Sequence, residues 1–229
     1  MSKNKKIPRH IALVLDGNRR YADKKGKERF EGHQYGAKKV KKLMMWAKEL
    51  GIKELTLYSF STENFYRPRK EVKYLFDLFR KSLRNLKEDK KKEMTDIRID
   101  FIGRIERFPK DMYNQMVELR EKTKRNKRLK VNFALAYGSR DEIVDAVNKL
   151  LKRKARKISK RLLQKSLELS SEPDLLIRPG GEKRISNFLL WQMAYTELYF
   201  LNKFWPEFTK KDLMKAISWF NERERRFGR

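Results

Sequence analysis

The sequence predicts an α/β domain spanning residues 1–229, with a mainly parallel central sheet flanked by helices. Two observations carry that prediction. Short apolar runs of strand character alternate with longer stretches whose apolar residues recur every three or four positions, an order that favours βαβ crossovers over hairpins. The first run, Ile11-Ala12-Leu13-Val14-Leu15, is unbroken, the pattern of a strand buried on both faces.

Residues 11–15 end at Asp16-Gly17-Asn18, a turn signal. After Gly36, Val40, Leu43, Met44, Ala47 and Leu50 mark a helix that Gly51 stops. Residues 53–60 read as the second strand and 61–68 as a polar loop at its carboxyl end. Pro68 begins the next helix, where a missing N–H is harmless. That helix places Val72, Leu75, Phe76, Phe79, Leu83 and Leu86 on one face and gives way to a charge run over 87–93. A third strand follows at 97–102 with Gly103 at its exit, then a helix at 109–124, a fourth strand at 129–136 and a helix at 141–151. The basic stretches 120–130 and 152–161 read as a solvated helix end and a connection, with contact to anionic lipid or RNA as the sharper alternative. Residues 174–178 form a fifth strand, 196–200 a short last strand carrying Glu197, and 210–226 the closing helix. We find no internal repeat.

A chain of 229 residues can bury a substantial core. Its 59 Lys and Arg against 30 Asp and Glu give a formal charge of +29, which favours anionic partners: nucleic acid, an acidic membrane surface or diphosphate substrates. Charge alone does not choose among them. The absence of cysteine excludes disulfides and thiolate metal sites, and two histidines leave little for zinc. The basic first residues are followed by an apolar run too short for a signal peptide and ended by Asp16. No stretch approaches the length of a membrane span. The expectation is a cytoplasmic protein that can visit a membrane surface peripherally.

Two turns carry the chemistry. At the carboxyl end of the first strand, where open α/β sheets place ligands, Asp16 meets Arg19, Arg20, Arg29 and His33. Asp16 is a candidate oxygen ligand for Mg²⁺, which binds one or two carboxylates plus substrate phosphates. Arginine forks and N–H groups near Gly17 are candidates for the phosphate oxygens. The same residues also read as an ordinary strand-to-helix turn. The fifth strand ends at Arg178-Pro179-Gly180-Gly181-Glu182-Lys183-Arg184-Ile185-Ser186-Asn187. Backbone N–H groups of a Gly-Gly turn approach anions closely, and Arg178, Arg184 and the Ser186 hydroxyl complete a second phosphate site.

With both turns in view, HIALVLDGNRRYA, GHQYG, LYSFSTENFYRP and DLLIRPGGEKRISNFLLWQMAYTELYF, in this order over almost the whole chain, resemble the motifs of the cis-prenyltransferases, the family of undecaprenyl diphosphate synthase. The resemblance implies Mg²⁺-dependent condensation of isopentenyl diphosphate onto an allylic diphosphate, each step leaving a cis double bond. The product would be a long polyprenyl diphosphate, the precursor of a glycosyl carrier lipid. Asp16 is thereby assigned to Mg²⁺ and the leaving diphosphate, with Gly17, Asn18, Arg19, Arg20, Tyr21, Arg29 and His33 around the allylic diphosphate. Ser61, Thr62, Glu63, Asn64, Phe65 and Arg67 match the loop beside the reacting centre. Asn64 matches a position given proton abstraction, but an amide is a poor base alone, and positioning of substrate or diphosphate oxygens is the more conservative reading. Arg178, Arg184, Ile185 and Ser186 match the isopentenyl diphosphate site, and Glu197 a second carboxylate linked to the metal. The resemblance also implies a homodimer with Arg226-Phe227-Gly228 reaching the partner's site. It further implies a hydrophobic tunnel between sheet and helices, in which each buried methylene is worth ~0.8 kcal/mol.

Departures from the familiar bacterial pattern matter. Arg19 and Tyr21 stand where that motif has glycine and tryptophan, and Asn18-Arg19-Arg20 resembles archaeal and eukaryotic members, so farnesyl and geranylgeranyl diphosphate are both open as primer. Pro179 replaces a commoner threonine and is expected to stiffen its turn. The lack of a DDxxD-like double aspartate argues against a trans-type enzyme. Two other classes compete. A non-catalytic accessory subunit of a heteromeric prenyltransferase would lack catalytic residues, whereas Asp16, Asn64, Arg178, Arg184 and Glu197 are all here. An RNA-binding protein is motivated by charge alone, without an RNA-recognition, KH or zinc-finger pattern.

Overall fold

A computed structural model describes residues 6–88 and 96–223. Its centre is a six-stranded sheet in the order β3-β4-β2-β1-β5-β6, with β1 at His10–Val14, β2 at Glu54–Ser61, β3 at Ile97–Ile102, β4 at Leu129–Tyr137, β5 at Leu175–Pro179 and β6 at Glu197–Leu201. Every neighbouring pair is parallel. Side chains alternate as a period-two strand requires: Ile11 and Leu13 enter one core cluster, Ala12 and Val14 another. Both faces are covered, which is why the run is apolar throughout.

The helices are α1 (Asn18–Lys24), α2 (Gly32–Leu50), α3 (Arg69–Glu88), α4 (Lys110–Thr123), α5 (Ser139–Lys152), α6 (Lys160–Ser166) and α7 (Lys210–Asn221). The larger core takes Leu43 and Met44 from α2, Leu75 and Leu83 from α3, Met112 and Met116 from α4, and Leu213 and Phe220 from α7. A separate cluster joins α5 and α6 through Ala146, Leu150 and Leu163.

Periodicity does not anticipate two of these helices. The seven-residue α1 is too short to show an amphipathic pattern, and so is α6, which starts at the end of the basic connection, where Ser159 caps it by accepting the Leu162 N–H at 3.2 Å. Lysine and arginine suit a helix as readily as a solvated linker. Helix α2 also begins before Gly36. A Cβ on Gly32 would lie 1.9 Å from the Asn18 carbonyl oxygen, and one on Gly36 would lie 2.2 Å from Asn18 Oδ1. Both glycines are therefore contact points between α2 and the first turn, not helix breakers. Residues 89–93 of the charge run, the end of the predicted closing helix, and Arg226-Phe227-Gly228 lie outside the described residues.

The strand order positions the site. From β1 the chain goes to β2 on one side, and β5 lies on the other. Strand order reverses at β1/β5, and the crevice beyond such a switch point is where open sheets bind ligands. Asp16 follows β1 there, while Arg178 and Pro179 close β5.

Candidate active site

Gly17 stands before α1 with φ of 95°, and a Cβ there would meet the Phe204 ring at 2.7 Å. Only glycine makes this turn without strain, and the turn sets Asp16 against β5. Asp16 Oδ2 accepts Arg178 Nη2 at 2.8 Å, while Oδ1 accepts the Gly17 N–H at 2.6 Å and Arg20 Nη2 at 3.2 Å. Burial pushes the carboxyl's pKa up. Arg178, then Arg20 and the Gly17 N–H, outweigh it and hold Asp16 below its ordinary range, so it is ionised.

Arg178 is 3% exposed. Its Nη1 donates to the Arg184 carbonyl and, at 2.9 Å, to Ser186 Oγ. Arg20 continues to the Gly180 carbonyl at 2.7 Å and Glu182 at 3.3 Å. The two basic turns are thus one continuous site, joined by the Asp16–Arg178 pair.

The Gly-Gly turn works differently from the sequence expectation. Gly180 N–H donates to the Lys203 carbonyl at 2.9 Å and Gly181 N–H to that of Leu201 at 3.0 Å. Neither amide is offered to an anion. What the turn needs is close approach: a Cβ on Gly180, whose φ is 102°, would lie 3.0 Å from Arg20 Nη2 and 3.2 Å from Asp16 Cγ.

A second carboxylate, which sequence reasoning missed, gathers the other cations. Glu71 on α3 is 5% exposed, and its Oε1 accepts Arg67 Nη1 at 3.0 Å and His33 Nε2 at 3.3 Å, with Arg19 Nε at 3.9 Å. The His33 hydrogen bond, followed by Arg67 and Arg19, outweighs burial and holds Glu71 below its ordinary value. Burial dominates at His33 and lowers its pKa, so the ring is neutral at pH 7 and donates through Nε2. In sequence Glu71 is one acid among the charged residues at the start of α3, and nothing there betrays its burial.

Residues Thr62–Tyr66 form a single 3₁₀ turn capped by Ser61. Asn64 Oδ1 accepts the Ser61 N–H at 3.1 Å, which commits the amide oxygen and leaves its NH₂ as a donor. Glu63 follows at this rim. Burial raises its pKa, but its own backbone N–H and the Ser61, Asn187 and Thr62 side chains bring it below the usual value.

From this polar rim a cavity of about 1300 Å³ runs between the sheet and α2, α3 and α4. Asp16, Gly17, Asn18, Arg19, Arg20, Arg29, His33, Ser61, Glu63, Asn64, Arg67, Arg178, Arg184 and Ser186 all line it. So do Leu75, Phe79, Leu83 and Leu86 of α3, Met116 of α4, and the stacked Phe101 and Phe133 of the sheet. One face of α3 thus serves core and cavity together.

Five predicted residues do not line it. Tyr21 packs edge-on against Tyr35, and Phe65 joins Phe60, Phe76 and Phe108 beneath Arg107. Thr62 lies against Gly138, and Ile185 packs on the second core cluster. These four buttress the site. Glu197 opens β6 in register with Leu175 and hence with Ile11, at the amino end of the sheet and about 16 Å along the strands from Asp16. Within one chain it cannot share a metal with Asp16.

Residues 14–228 match the family model described as "Putative undecaprenyl diphosphate synthase". The chain belongs to the undecaprenyl diphosphate synthase family. This family member is 48% identical over 226 residues to the isoprenyl transferase of Aquifex pyrophilus, covering 98% of this chain and 97% of that one. It is 42% identical over 233 residues to the tritrans,polycis-undecaprenyl-diphosphate synthase (geranylgeranyl-diphosphate specific) of Methanocaldococcus jannaschii, covering 97% and 83%. The crystal structure of lavandulyl diphosphate synthase from Lavandula x intermedia in complex with dimethylallyl diphosphate matches with a TM-score of 0.89 and 34% identity, over 97% of this chain and 99% of that one. The protein is a cis-prenyltransferase of the polyprenyl diphosphate synthase type.

Proposed function

We propose that the protein condenses isopentenyl diphosphate with farnesyl or geranylgeranyl diphosphate in successive Mg²⁺-dependent steps, giving a long polycis-polyprenyl diphosphate that serves as precursor of a glycosyl carrier lipid. The observation that carries this reading is the Asp16–Arg178 pair, which joins two cationic groups at the mouth of one apolar cavity. Two diphosphates brought together there have their hydrocarbon parts directed to the same lining.

Among the described residues no three His, Asp or Glu side chains cluster as a metal site. Mg²⁺ does not require such a cluster, since it keeps waters and takes oxygens from substrate phosphates beside one or two carboxylates. Asp16, ionised and at the cavity mouth, fits that role. When bound, the ion stabilises negative charge on the departing diphosphate. Arg19, Arg20 and Arg29 hold the allylic diphosphate, with His33 beside them, and Arg178, Arg184 and Ser186 hold the isopentenyl one. The Asn64 NH₂ orients a diphosphate oxygen. Its committed carbonyl oxygen favours positioning over proton abstraction.

The same proposal includes a homodimer. Strand β6 is an open sheet edge with Leu198 40% and nearby Tyr195 63% exposed, and an uncovered edge is a surface another chain can pair with. Glu197 lies on that strand. Among the described residues no helix is long and apolar enough to cross a membrane. A cytoplasmic enzyme meeting the membrane peripherally suits a lipid product.

The test is incubation with Mg²⁺, radiolabelled isopentenyl diphosphate and each primer separately, followed by chromatography of the products. Wild type is expected to give long products. Asp16→Ala is expected to lose activity by a factor on the order of 10³, as when several kcal/mol of transition-state charge stabilisation disappear. No elongation with either primer, from folded protein, overturns the proposal.

A further inference from the structure

The excess positive charge is not spread evenly over the helices. Helix α2 carries five lysines against one glutamate, and α3 seven Lys and Arg against three acids, whereas α4 and α5 each carry three of either sign; α6 with the stretch before it is as basic, but none of its residues lines the cavity. Of the three acids on α3, Glu71 is spent on the site and Asp77 on Arg80. Lys38 and Lys42 on α2, and Lys73, Lys81 and Arg84 on α3, are exposed. None of these five makes an ion pair with a described residue.

The cavity reaches the surface along this same seam, where the exposed Lys38 and Lys81 line it together with Leu78 and Leu86. An apolar channel with cationic lips is an unusual pairing for a water-facing surface. It matches a bilayer whose headgroups are anionic and whose interior accepts hydrocarbon.

We propose that the α2–α3 face docks on an anionic phospholipid bilayer, so that the seam of the cavity opens onto the lipid that receives the polyprenyl chain. The inference rests on the reading above only for the nature of the product; the docking itself rests on charge. Each basic residue held near an anionic surface contributes about a fivefold gain in partition, and the effect fades with salt. Exposed lysines and arginines on the two helices supply the attraction, and the seam supplies the route by which a tail longer than the cavity leaves water.

The test is sedimentation of the full chain with vesicles of phosphatidylcholine alone or of an equimolar mixture with phosphatidylglycerol. Wild type is expected to bind only the anionic vesicles and to be released by salt. The triple variant Lys42→Glu, Lys73→Glu, Arg84→Glu is expected to lose partition by a factor on the order of 100 or more. An equal reversal elsewhere, Lys149→Glu, Lys152→Glu, Lys160→Glu, is expected to lose far less. Since the chain has no cysteine, Asp77→Cys carrying an environment-sensitive dye is expected to shift blue on anionic vesicles, and Lys152→Cys is not.

Equal losses in the two triple variants would reduce the effect to net charge and overturn the proposal. So would wild type that ignores anionic vesicles, or a single-stranded RNA oligonucleotide that displaces the vesicles from the α2–α3 face. Elongation is measured separately with soluble primer. Vesicle binding without turnover would count against the enzymatic reading and leave docking standing, whereas turnover without face-specific binding would sink docking alone.

Discussion

Replacing Glu71 by glutamine tests whether that buried carboxylate holds together the half of the site proposed for the allylic diphosphate. The variant keeps size and an acceptor oxygen while removing the charge that faces Arg67 at 3.0 Å, His33 at 3.3 Å and Arg19 at 3.9 Å. Charge-assisted hydrogen bonds are about twice as strong as neutral ones. Two of them weakened at a side chain 6% exposed come to a loss of about 2–4 kcal/mol, near the lower bound for stripping one partner from a buried pair. For a chain of this size that lowers the melting temperature by about 5–15 °C. Added positive charge would strengthen ground-state attraction for a diphosphate while misaligned arginines weaken its positioning, so the decisive kinetic quantity is kcat. We expect it to fall at least tenfold, with KM for isopentenyl diphosphate within about twofold, since ~1.4 kcal/mol is tenfold. The pH dependence checks the cause. Because the folded pKa of Glu71 lies below its ordinary 4.5, its contribution is present above that value and lost as pH falls through the folded one. The stability gap between wild type and Glu71→Gln should therefore be full at neutral pH and narrow under acid. Unchanged melting and kcat within twofold of wild type would refute the reasoning, as would a gap that does not depend on pH.

Two further substitutions probe packing and the cavity. Gly32→Ala would put a methyl 1.9 Å from the Asn18 carbonyl oxygen, so it should cost about 3 kcal/mol or more and displace the turn that carries Arg19 and Arg20. Gly26→Ala, with φ of 62° and nothing within 4 Å, should cost only the ~1–2 kcal/mol of a left-handed residue; calorimetry of both variants checks the order. Phe133→Ala removes one of the two stacked rings, 5.8 Å apart, that line the cavity from the sheet. It should lengthen the products seen on chromatography while costing about 3–5 kcal/mol of stability, and an unchanged product length from folded enzyme would remove Phe133 from the chain-length wall.

The strands were legible because a doubly covered parallel sheet demands apolar residues, in an unbroken run in β1 and every second position in β3, and the amphipathic α3 because twenty residues give a period time to declare itself. Helices α1 and α6 have only seven each, and α6 starts where a run of lysines and arginines has just obscured any pattern. The site was legible as two basic turns but not as one assembly, since the Asp16–Arg178 pair joins residues 162 positions apart through a strand order that local sequence does not state. Glu71 was missed because burial, not residue type, makes it unusual. The Gly-Gly turn was given the wrong purpose for a related reason: composition shows that amides can approach an anion but not that the Lys203 and Leu201 carbonyls already take them. Glu197 shows that a motif residue can lie on the right sheet and at its wrong end.

Asp16 and Glu71 give the site a common logic. Each carboxylate engages cations of the proposed substrate site: Asp16 holds Arg20 and Arg178, and Glu71 holds Arg67 and Arg19. On the proposed reading the carboxylates orient these cations, which would remove reorganisation from the moment of reaction. They are also partly neutralised, which restrains ground-state binding of two highly charged substrates. A cationic wall without internal carboxylates would grip substrate and product diphosphates hardest when nothing is reacting, and uniform binding of that kind does not speed a chemical step. Under the proposed function, charge developing on the departing diphosphate would meet arginines already aimed at it, and the carboxylates that aim them would limit how tightly the anions are held. That division explains why a protein with so large a surplus of lysine and arginine places two ionised acids at the centre of its anion site.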